Sequence, residues 1–357
     1  MVGGETEQGG RRGSRRPTMT DVARAAGVSA MTVSYVYSRP GRVSEATAAK
    51  VRGAARRLGY PGPHPGARSL RRGRAGSLGV VLGEPLTYAF EDPQAARFLA
   101  GVAAVCATER AGLTLVPVTG GAEDVARVAE SAVDGFVVWT TADDDPVVEA
   151  VAATGLPGVV HAGPRHRALA VVGVDDRAAA RAIGAEAFAG ARRPAVISQP
   201  LDRARRAATI HGPDPAAATF PVTRRRLAGL RDACAATGGE WARVPVRVCS
   251  RNSAAEGEAA AAELLRRPDP PDAIAAMSDE FALGALRAAA RAGVAVPDAL
   301  ALTGWDDTAA AAPAGLTTVA QSLHDQGAWC ARLALGGEAT GVHEASWRIV
   351  RRASTRG

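Results

Sequence analysis

The sequence predicts two parts, a small all-α module at the N-terminus and a larger body of two α/β lobes. Residues 18–60 carry three short helical patterns, and from Ser77 onward apolar strand patterns alternate with amphipathic helical patterns. Continuously apolar strands separated by helices are typical of parallel sheets that are covered on both faces. The body, 77–357, is long for one such sheet, so we expect two α/β lobes.

The charge of the chain is divided unevenly between these two parts. Residues 1–74 hold 15 Arg and Lys against 4 Asp and Glu, a balance of +11, whereas the remaining 283 residues hold 28 against 32, a balance of −4. A basic module joined to a mildly acidic body indicates a polyanionic partner, most simply nucleic acid. Compositional bias is the alternative, since Lys50 is the only lysine. Such bias explains arginine over lysine, but it does not explain why the excess lies at one end.

Composition also argues against several classes of protein. No apolar run approaches the roughly 20 residues of a membrane-spanning helix, and the arginine-containing N-terminus lacks the apolar stretch of a secretory signal. The four cysteines form no CxxC pair, which fits buried thiols in a reducing cytoplasm better than disulfides or a zinc site. We therefore expect a cytoplasmic protein without a bound metal and without a membrane partner. These cysteines are Cys106, Cys234, Cys249 and Cys330.

The boundaries of the parts follow from composition. Residues 1–17 contain mainly Gly, Arg, Ser and Glu without periodicity and predict a disordered tail, and residues 63–76 are rich in Pro, Gly and Arg and predict a linker. Between them, 18–62 is the helical module. In the body, we predict strands at 77–83, 113–118, 134–139, 170–175, 194–198, 272–277 and 301–306, with helices that include 122–131, 176–189, 253–266 and 279–292.

The helical module has the spacing of a helix-turn-helix. A small residue at Ala23 is followed four positions later by Gly27, where a glycine accepts positive φ, and six positions after that by the apolar Val33. Ser29 can cap the second helix by accepting from its free N–H groups. A third helix begins at Ser44-Glu45, and we expect its Val51, Ala55 and Leu58 to face inward. On this spacing alone, an ordinary three-helix bundle remains open.

The match extends beyond this spacing to a known family. The headpiece string TDVARAAGVSAMTVS, the stretch PHPGARSLR and the body strings VDGFVVW, VGVDDRAAAR, RRRLAGLRDA, AAMSDEFALGALRAAARAGVAVPDALALTGWDD and LTTVAQS resemble, in the same order, the lactose-repressor (LacI/GalR) family of transcription regulators. The resemblance covers roughly residues 18–355. It implies a helix-turn-helix DNA-binding headpiece (18–62), a hinge helix (63–76) and a two-lobed α/β core (77–357) like that of periplasmic sugar-binding proteins.

The resemblance implies that the second helix enters the major groove, with Ala30, Met31 and Tyr35 facing base edges. Relatives most often carry an arginine where Tyr35 stands, and because arginine makes bidentate contacts to guanine, this chain should read a different base. The alternative is that Tyr35 only packs against the third helix. Side chains near the helix ends suit phosphate contacts, although Ser29 could serve only as a cap. They are Thr20, Ser29, Thr32, Ser34 and Arg39.

The resemblance also implies a hinge that folds on the operator. Leu70 matches the leucine that inserts into the minor groove, and Arg68 and Arg71 are available to phosphates. A helix this short is unstable alone in water, so DNA and a second hinge would have to order it. Pro65-Gly66 depart from the usual pattern and weaken this expectation.

For the core, the resemblance implies a ligand cleft between the lobes, beyond the carboxyl ends of the strands. Asp306 matches an aspartate that accepts from ligand hydroxyls, and Arg226 matches an arginine that clamps the ligand. Asp176, Ser278 and Asp279 also stand at strand ends where relatives carry polar ligand contacts. A loop cap is the alternative for each of these residues.

One departure from the family pattern bears on the ligand. Relatives commonly carry two aromatic residues after the first strand, behind an Asn-Pro, but here Gln94 and Ala95 follow Pro93. The inference that the ligand is a sugar is therefore weakened. Tyr88, Phe90, Trp139 and Trp305 are the candidates for an aromatic contact, and the alternative for the two tryptophans is a place in the core.

Together these observations predict a sequence-specific DNA-binding transcriptional regulator, most simply a repressor, acting as a homodimer on a pseudo-palindromic operator. Its effector would be a sugar or a related metabolite. The alternative is a small-molecule-binding protein of the same core fold without operator-specific regulation. An enzyme is not expected, since G-x-S-x-G, H-E-x-x-H and G-x-x-x-x-G-K-[ST] are absent from the sequence. We expect no cofactor and a cytoplasmic location at the nucleoid.

Overall fold

A computed structural model describes residues 17–62, 74–83, 87–119, 121–337 and 340–356. The chain divides into two compact units, 1–75 and 76–357. The predicted tail lies almost wholly outside the described residues. So do Arg68, Leu70 and Arg71 of the predicted hinge, and what was predicted for them stays a prediction.

The N-terminal unit contains three helices, as the sequence predicts. They are α1 (Met19–Ala26), α2 (Ala30–Ser38) and α3 (Glu45–Leu58), with a short 3-10 helix at Pro40–Arg42. Val22, Val33 and Val51, one from each helix, have no exposed surface and form the centre of a small core. Leu58 was predicted to face inward but is 39% exposed, because it is the last residue of α3, whose end is marked by the left-handed Gly59.

The first lobe of the core is built on a six-stranded parallel sheet with strand order β12-β5-β4-β3-β1-β2. Buried aliphatic side chains cover both of its faces. Its strands are β1 (Ser77–Leu82), β2 (Gly112–Pro117), β3 (Phe136–Trp139), β4 (Gly158–His161), β5 (Ala170–Gly173) and β12 (Val342–Glu344). Its helices are α4 (Tyr88–Glu91), α5 (Pro93–Glu109), α6 (Glu123–Ala129), α7 (Val147–Ala153) and α12 (Leu323–Gly336).

The second lobe is built on a seven-stranded sheet with strand order β13-β11-β10-β9-β6-β8-β7, in which only the two edge strands run antiparallel to their neighbours. Its strands are β6 (Pro194–Ser198), β7 (Ala208–His211), β8 (Pro245–Val248), β9 (Ala273–Ala276), β10 (Ala301–Asp306), β11 (Thr317–Ala320) and β13 (Arg348–Val350). Its helices are α8 (Asp176–Phe188), α9 (Pro221–Ala236), α10 (Ala254–Leu265) and α11 (Asp279–Arg291), with short 3-10 helices at Pro215–Ala217 and Trp241–Arg243.

The chain crosses between the lobes three times, between β5 and α8, between β11 and α12, and between β12 and β13. In the first lobe, α12 packs so closely on α5 that both helices need glycine at the contact. A Cβ on Gly101 would lie 1.9 Å from the backbone oxygen of His324, and one on Gly327 would lie 2.2 Å from that of Phe98. This close packing fixes α12, which follows directly on a segment that lines the cleft.

The fold class predicted from the sequence is confirmed, including the two α/β lobes. All seven predicted strands are present, with bounds that differ by no more than two residues at either end. The sequence did not predict β4, β7, β8, β11, β12 and β13, which are only three or four residues long. Strands this short carry too little of a period to be distinguished from loops. None of the helices in the described part of the chain is long and apolar enough to cross a membrane.

Candidate functional site

The first two helices of the N-terminal unit are held by local caps that the sequence encodes. Thr18 and Asp21 form a capping box at the start of α1, with the Thr18 N–H donating to Asp21 at 2.9 Å. Gly27 ends α1 with φ of 62°, a left-handed conformation that glycine adopts without strain. Ser29 Oγ then accepts from the Thr32 N–H at 3.1 Å and caps α2. The predicted cap is confirmed, and the turn between the helices is short and defined.

Helix α2 presents an uncharged and mostly accessible surface beside this turn. The Met31 side chain is 63% exposed, and Ala30 is exposed next to it. Tyr35 is half-buried, whereas Tyr37 packs edge-on against Tyr60, with ring centroids 6.1 Å apart. Of the residues predicted to face bases, Ala30 and Met31 are thus exposed and Tyr35 is half-buried.

The residues predicted to contact phosphates are not all equally accessible. Thr20, Ser29 and Arg39 are exposed and Thr32 is half-buried. Ser34 is only 9% exposed, because it lies between Val33 and Val36 on the side of α2 that packs into the small core. The structure therefore does not offer Ser34 as a phosphate contact.

The core contains a cleft at the carboxyl ends of strands from both lobes. The last residues of β3, β4 and β10, namely Trp139, His161 and Asp306, all line it. Loops beyond parallel strands are where open α/β sheets bind ligands. The polar and charged side chains around the cavity are Asp92, Gln94, Thr140, His161, Asp176, Gln199, Arg205, Thr223, Arg226, Asn252, Asp306, Gln321 and Gln326.

Arg226 is a buried cation of the cleft that is held by several contacts. Its Nε donates to Asp176 Oδ1 at 2.9 Å and its Nη1 donates to the Met277 carbonyl at 2.9 Å. The guanidinium carbon lies 3.8 Å from the centroid of the Trp305 ring, a cation–π arrangement. Both charged groups are almost fully buried. Arg226 is therefore fixed on three sides, and its remaining N–H groups can be offered to a bound molecule.

Asp306 lines the cleft together with Arg226 and has a strained backbone, since its φ is 109°. Its Oδ1 accepts from Gln321 Nε2 at 2.8 Å. Burial raises the pKa of Asp306 well above the usual carboxyl range, and the carboxyl of Asp279 adds to the shift while Arg226 opposes it. Burial makes the carboxyl of Asp306 costly to ionise, and hydroxyl groups that donate hydrogen bonds to it would stabilise the ionised form.

The first lobe contributes a stacked aromatic wall. The rings of Trp139 and His161 lie parallel, with centroids 4.9 Å apart and an interplanar angle of 9°, and Phe98 packs against both rings. His161 Nε2 is 2.9 Å from Gln326 Oε1. Burial lowers the pKa of His161 to about 4, so that the ring is neutral near pH 7.

A second polar bridge crosses the cleft. Asn252 Nδ2 donates to Asp92 Oδ2 at 2.7 Å, and Ser278 Oγ donates to Asn252 Oδ1 at 2.6 Å. Asp92 belongs to the first lobe, where it caps α5 through the N–H groups of Gln94 and Ala95. The bridge therefore links the first turn of a helix in each lobe.

The structure separates the predicted ligand contacts into two groups. Trp139, Asp176, Arg226 and Asp306 line the cavity. Ser278 and Asp279 are fully buried behind it, where Ser278 supports Asn252 and Asp279 accepts from the Thr308 N–H and Thr318 Oγ1, both at 2.6 Å. These two residues position the lining and do not form part of it.

Two of the aromatic candidates are placed differently from the prediction. Phe90 does not line the cavity and is 70% exposed, because the chain turns at Asp92 and it is the carboxylate that faces the cleft. Trp305 is 1% exposed and packs in the core, since neighbouring side chains of β10 alternate between the faces of the sheet and Asp306 takes the cleft side. Trp305 acts as the platform beneath Arg226.

The sequence did not single out several residues that the structure brings to the cavity. Gln321 lies at the crossover before α12, Gln326 lies in the first turn of α12, and His161 ends the unpredicted strand β4. Asn252 is the single asparagine of the chain, and no motif around it indicates a site. A signal existed for His161 and Gln321, because each stands at or just after the end of an apolar strand segment.

The described ranges contain no group of three or more His, Cys, Asp or Glu side chains placed to hold a metal ion. The polar groups of the cleft are instead paired with one another, carboxylate to guanidinium and carboxyl to amide. Such a lining can offer both donors and acceptors to a polar organic molecule.

Comparison with known proteins gives consistent results for both units. Residues 18–62 match bacterial regulatory proteins of the lacI family, and residues 189–355 match the periplasmic binding protein-like domain. An HTH-type transcriptional regulator of Mycobacterium tuberculosis is 38% identical over 316 residues, which cover 87% of this chain and 88% of that protein.

Two solved structures share the fold over nearly the whole chain. A LacI-family transcriptional regulator from Corynebacterium glutamicum is 28% identical with a TM-score of 0.72, covering 96% of this chain and all of that one. The transcriptional regulator CelR in complex with cellobiose is 26% identical with a TM-score of 0.65, covering 95% of this chain and all of that one.

Proposed function

The chain belongs to the lacI family of bacterial regulatory proteins, and on that premise we propose that it is a repressor that binds a pseudo-palindromic operator as a homodimer. The family consists of DNA-binding transcriptional regulators and not of enzymes. Because its target is DNA, the protein acts in the cytoplasm, at the nucleoid. The operator affinity is modulated by a small molecule, a sugar or a related metabolite, that binds in the cleft of the core.

The surface of the N-terminal unit supports separate roles for base contacts and phosphate contacts on DNA. The exposed part of α2 is uncharged, with Met31 and Ala30 accessible and Tyr35 beside them. Apolar and hydroxyl groups of this kind can contact thymine methyl groups and base edges in the major groove. Exposed arginines of the same unit suit phosphate contacts, which position a protein without specifying sequence. They are Arg24, Arg39, Arg52, Arg56 and Arg57.

The ligand proposal depends on one observation, the convergence of paired polar groups from both lobes on a single cavity. Arg226 with Asp176 and Asp306 with Gln321 offer charged and amide groups from the second lobe and the crossover, and Trp139 offers an aromatic face from the first lobe. A molecule with several hydroxyl groups can donate to the carboxyls and accept from the guanidinium. The cellobiose bound by CelR, whose fold and sequence are similar, supports this class of effector.

The two sites are linked through the closure of the lobes. A ligand changes the affinity for DNA only to the extent that it prefers one arrangement of the lobes over the other. Several hydrogen bonds and ion pairs join the lobes around the cleft, including Asn252 to Asp92 and Arg203 to Asp144 at 3.1 Å. A ligand that strengthens or replaces these contacts shifts the balance between the arrangements.

The test is a mobility-shift titration of the full chain on DNA from upstream of its own gene, with scrambled DNA of equal length as the control. We expect tighter binding to the upstream fragment and a steep loss of binding as salt rises, because phosphate contacts release counterions. Equal affinity for both fragments would contradict an operator-specific regulator. A thermal-shift screen of sugars and related metabolites then identifies effectors, since a ligand at 100 times its Kd stabilises the folded state by about 2.7 kcal/mol.

A further inference from the structure

A chain of three hydrogen bonds connects the two lobes along one wall of the cleft. His161 Nε2 lies 2.9 Å from Gln326 Oε1, Gln326 Nε2 donates to Gln321 Oε1 at 3.1 Å, and Gln321 Nε2 donates to Asp306 Oδ1 at 2.8 Å. His161 ends β4 in the first lobe and Asp306 ends β10 in the second. We call these four residues the interlobe relay.

The chemistry of the amides gives the interlobe relay a direction. A glutamine side chain has one oxygen that accepts and one nitrogen that donates, so each glutamine must donate on one side and accept on the other. Asp306 Oδ1 accepts from Gln321 Nε2, so the oxygen of Gln321 is turned toward Gln326 and accepts from it. Gln326 then turns its own oxygen toward His161. The imidazole must therefore carry its proton on Nε2.

The other ring nitrogen of His161 is left as an acceptor. Nδ1 is buried and has no hydrogen-bond partner among the residues that the structure describes. The ring is held in place by its stacking on Trp139. Burial and the nearby charge of Arg226 keep the pKa of His161 low, at about 4, so the ring does not gain a second proton near pH 7.

We propose that Asp306 fixes the tautomer of His161 across the lobes, through Gln321 and Gln326 as positioning residues, so that His161, whose ring lines the cleft, keeps its buried Nδ1 as an acceptor. The proposal rests on the proposed function in so far as a molecule binds there. A molecule that reaches Nδ1 must donate a hydrogen bond to it, from a hydroxyl or an N–H group. An ether oxygen or a phosphate oxygen at the same place would meet a second acceptor and be disfavoured.

The interlobe relay also gives Asp306 an effect on the opposite lobe. A ligand hydroxyl that displaces Gln321 from Asp306 frees both glutamines to turn over. Asp306 would then no longer determine the tautomer of His161. A ligand that binds Asp306 in the second lobe can thus change which ring nitrogen of His161 donates and which accepts in the first lobe.

The tautomer can be measured directly in the full chain with ¹⁵N-labelled histidine. Long-range ¹H–¹⁵N correlation spectra distinguish a ring protonated on Nε2 from one protonated on Nδ1, and the His161 signals are assigned by their loss in His161→Gln. We expect a single Nε2–H tautomer in the unmodified chain, with no second protonation between pH 8 and pH 5.5.

Two substitutions test whether the interlobe relay is the cause. In Asp306→Asn, the new amide can donate to Gln321 and the whole relay can reverse, so we expect an Nδ1–H population to appear. In Gln326→Leu, His161 loses its acceptor, and we expect the same loss of a single tautomer. Asp92→Asn is the matched control, because it neutralises another carboxyl that lines the cleft but belongs to the Asn252 bridge. It should leave the His161 spectrum unchanged.

An Nδ1–H tautomer in the unmodified chain would overturn the proposal, and so would an unchanged spectrum in both Asp306→Asn and Gln326→Leu. The spectra require neither DNA nor a ligand. A failure of this proposal can therefore be distinguished from a failure of the proposed function, which is decided by the DNA titration.

Discussion

Asn252 donates a hydrogen bond to Asp92 at 2.7 Å, and the two residues lie on opposite lobes. Asp92 caps α5 in the first lobe, while Asn252 accepts from Ser278, the cap of α11 in the second. One amide therefore ties together the starts of two helices that face each other across the cleft. Contacts of this kind determine how easily the lobes separate.

Replacing Asn252 with Ala should weaken the contact between the lobes. A hydrogen bond to a charged group contributes about 1.5–3 kcal/mol, and its loss leaves Asp92 to be solvated by water that enters the cleft. We expect faster amide hydrogen exchange at the first turns of α5 and α11. Arg251→Ala is the control, since its side chain is 76% exposed next to the same position. Equal exchange in the two variants would show that the bridge does not hold the lobes.

Replacing Arg226 alone, and so breaking its ion pair with Asp176, should lower the free energy of unfolding strongly. Arg226→Met leaves the Asp176 carboxylate buried without its partner, which typically destabilises a protein by about 3–5 kcal/mol. The comparison is Arg231→Met on the same helix, whose ion pair with Asp214 is 3.9 Å long and largely exposed. Exposed pairs contribute about 0–1 kcal/mol. Urea unfolding of the two variants measures the difference, and similar midpoints would contradict the role given to Arg226.

Two buried groups should give the stability of the core opposite pH dependences. The pKa of Asp279 is raised to about 6 by burial, so the folded state holds more protons than the unfolded state between pH 4 and pH 6, and this contribution to stability falls as pH rises. The pKa of His161 is lowered to about 4, so the folded state holds fewer protons between pH 4 and pH 6.5, and this contribution rises with pH.

Single substitutions separate these two contributions. Relative to the unmodified chain, the free energy of unfolding of Asp279→Asn should increase more steeply between pH 4 and pH 6, while that of His161→Gln should increase less steeply. Chemical denaturation at four or five pH values in this window measures both slopes. Slopes that change in the same direction would refute the assignment of opposite shifts to these two groups.

Changing Tyr35 to Arg should alter which operator the protein prefers. Tyr35 offers a hydroxyl and a ring at the accessible side of α2, whereas arginine can bind O6 and N7 of guanine together. We expect guanine to become favoured at one position of each half-site in a selection from randomised DNA. Tyr37→Phe, which keeps the ring contact with Tyr60, should select the same sites as the unmodified chain. Unchanged preference in Tyr35→Arg would assign Tyr35 to packing.

Much of the fold could be predicted because its signals are local. The turn at Gly27 and the cap at Ser29 each depend on a conformational property of one residue, and strands such as β6 and β10 are continuous apolar runs. The prediction that Leu58 faces inward was wrong because helical periodicity does not show where neighbouring helices stop covering a face of α3. The short strands β12 and β13 are defined only by pairing with distant segments.

The cleft was predictable only in part, for a related reason. Asp306 and Arg226 could be identified from the resemblance, but Gln321, Gln326 and Asn252 acquire their roles from partners far away in the sequence. The Asn252 bridge joins residues 160 positions apart and the His161 contact with Gln326 spans 165. Amides have no periodicity or motif that reveals such pairing. The prediction that Phe90 contacts the ligand was wrong because the sequence shows that an aromatic side chain is near the site but not which way it points.

The central claim is that a molecule in the cleft changes the affinity of the N-terminal unit for DNA. The most direct test is fluorescence anisotropy of labelled upstream DNA at fixed salt, with and without the sugar or metabolite that gives the largest thermal shift. We predict a change of about 5–150-fold in the DNA Kd, the usual range of allosteric coupling, and loss of that change in Arg226→Met. A molecule that raises the Tm of the protein and leaves the DNA Kd unchanged would contradict the account.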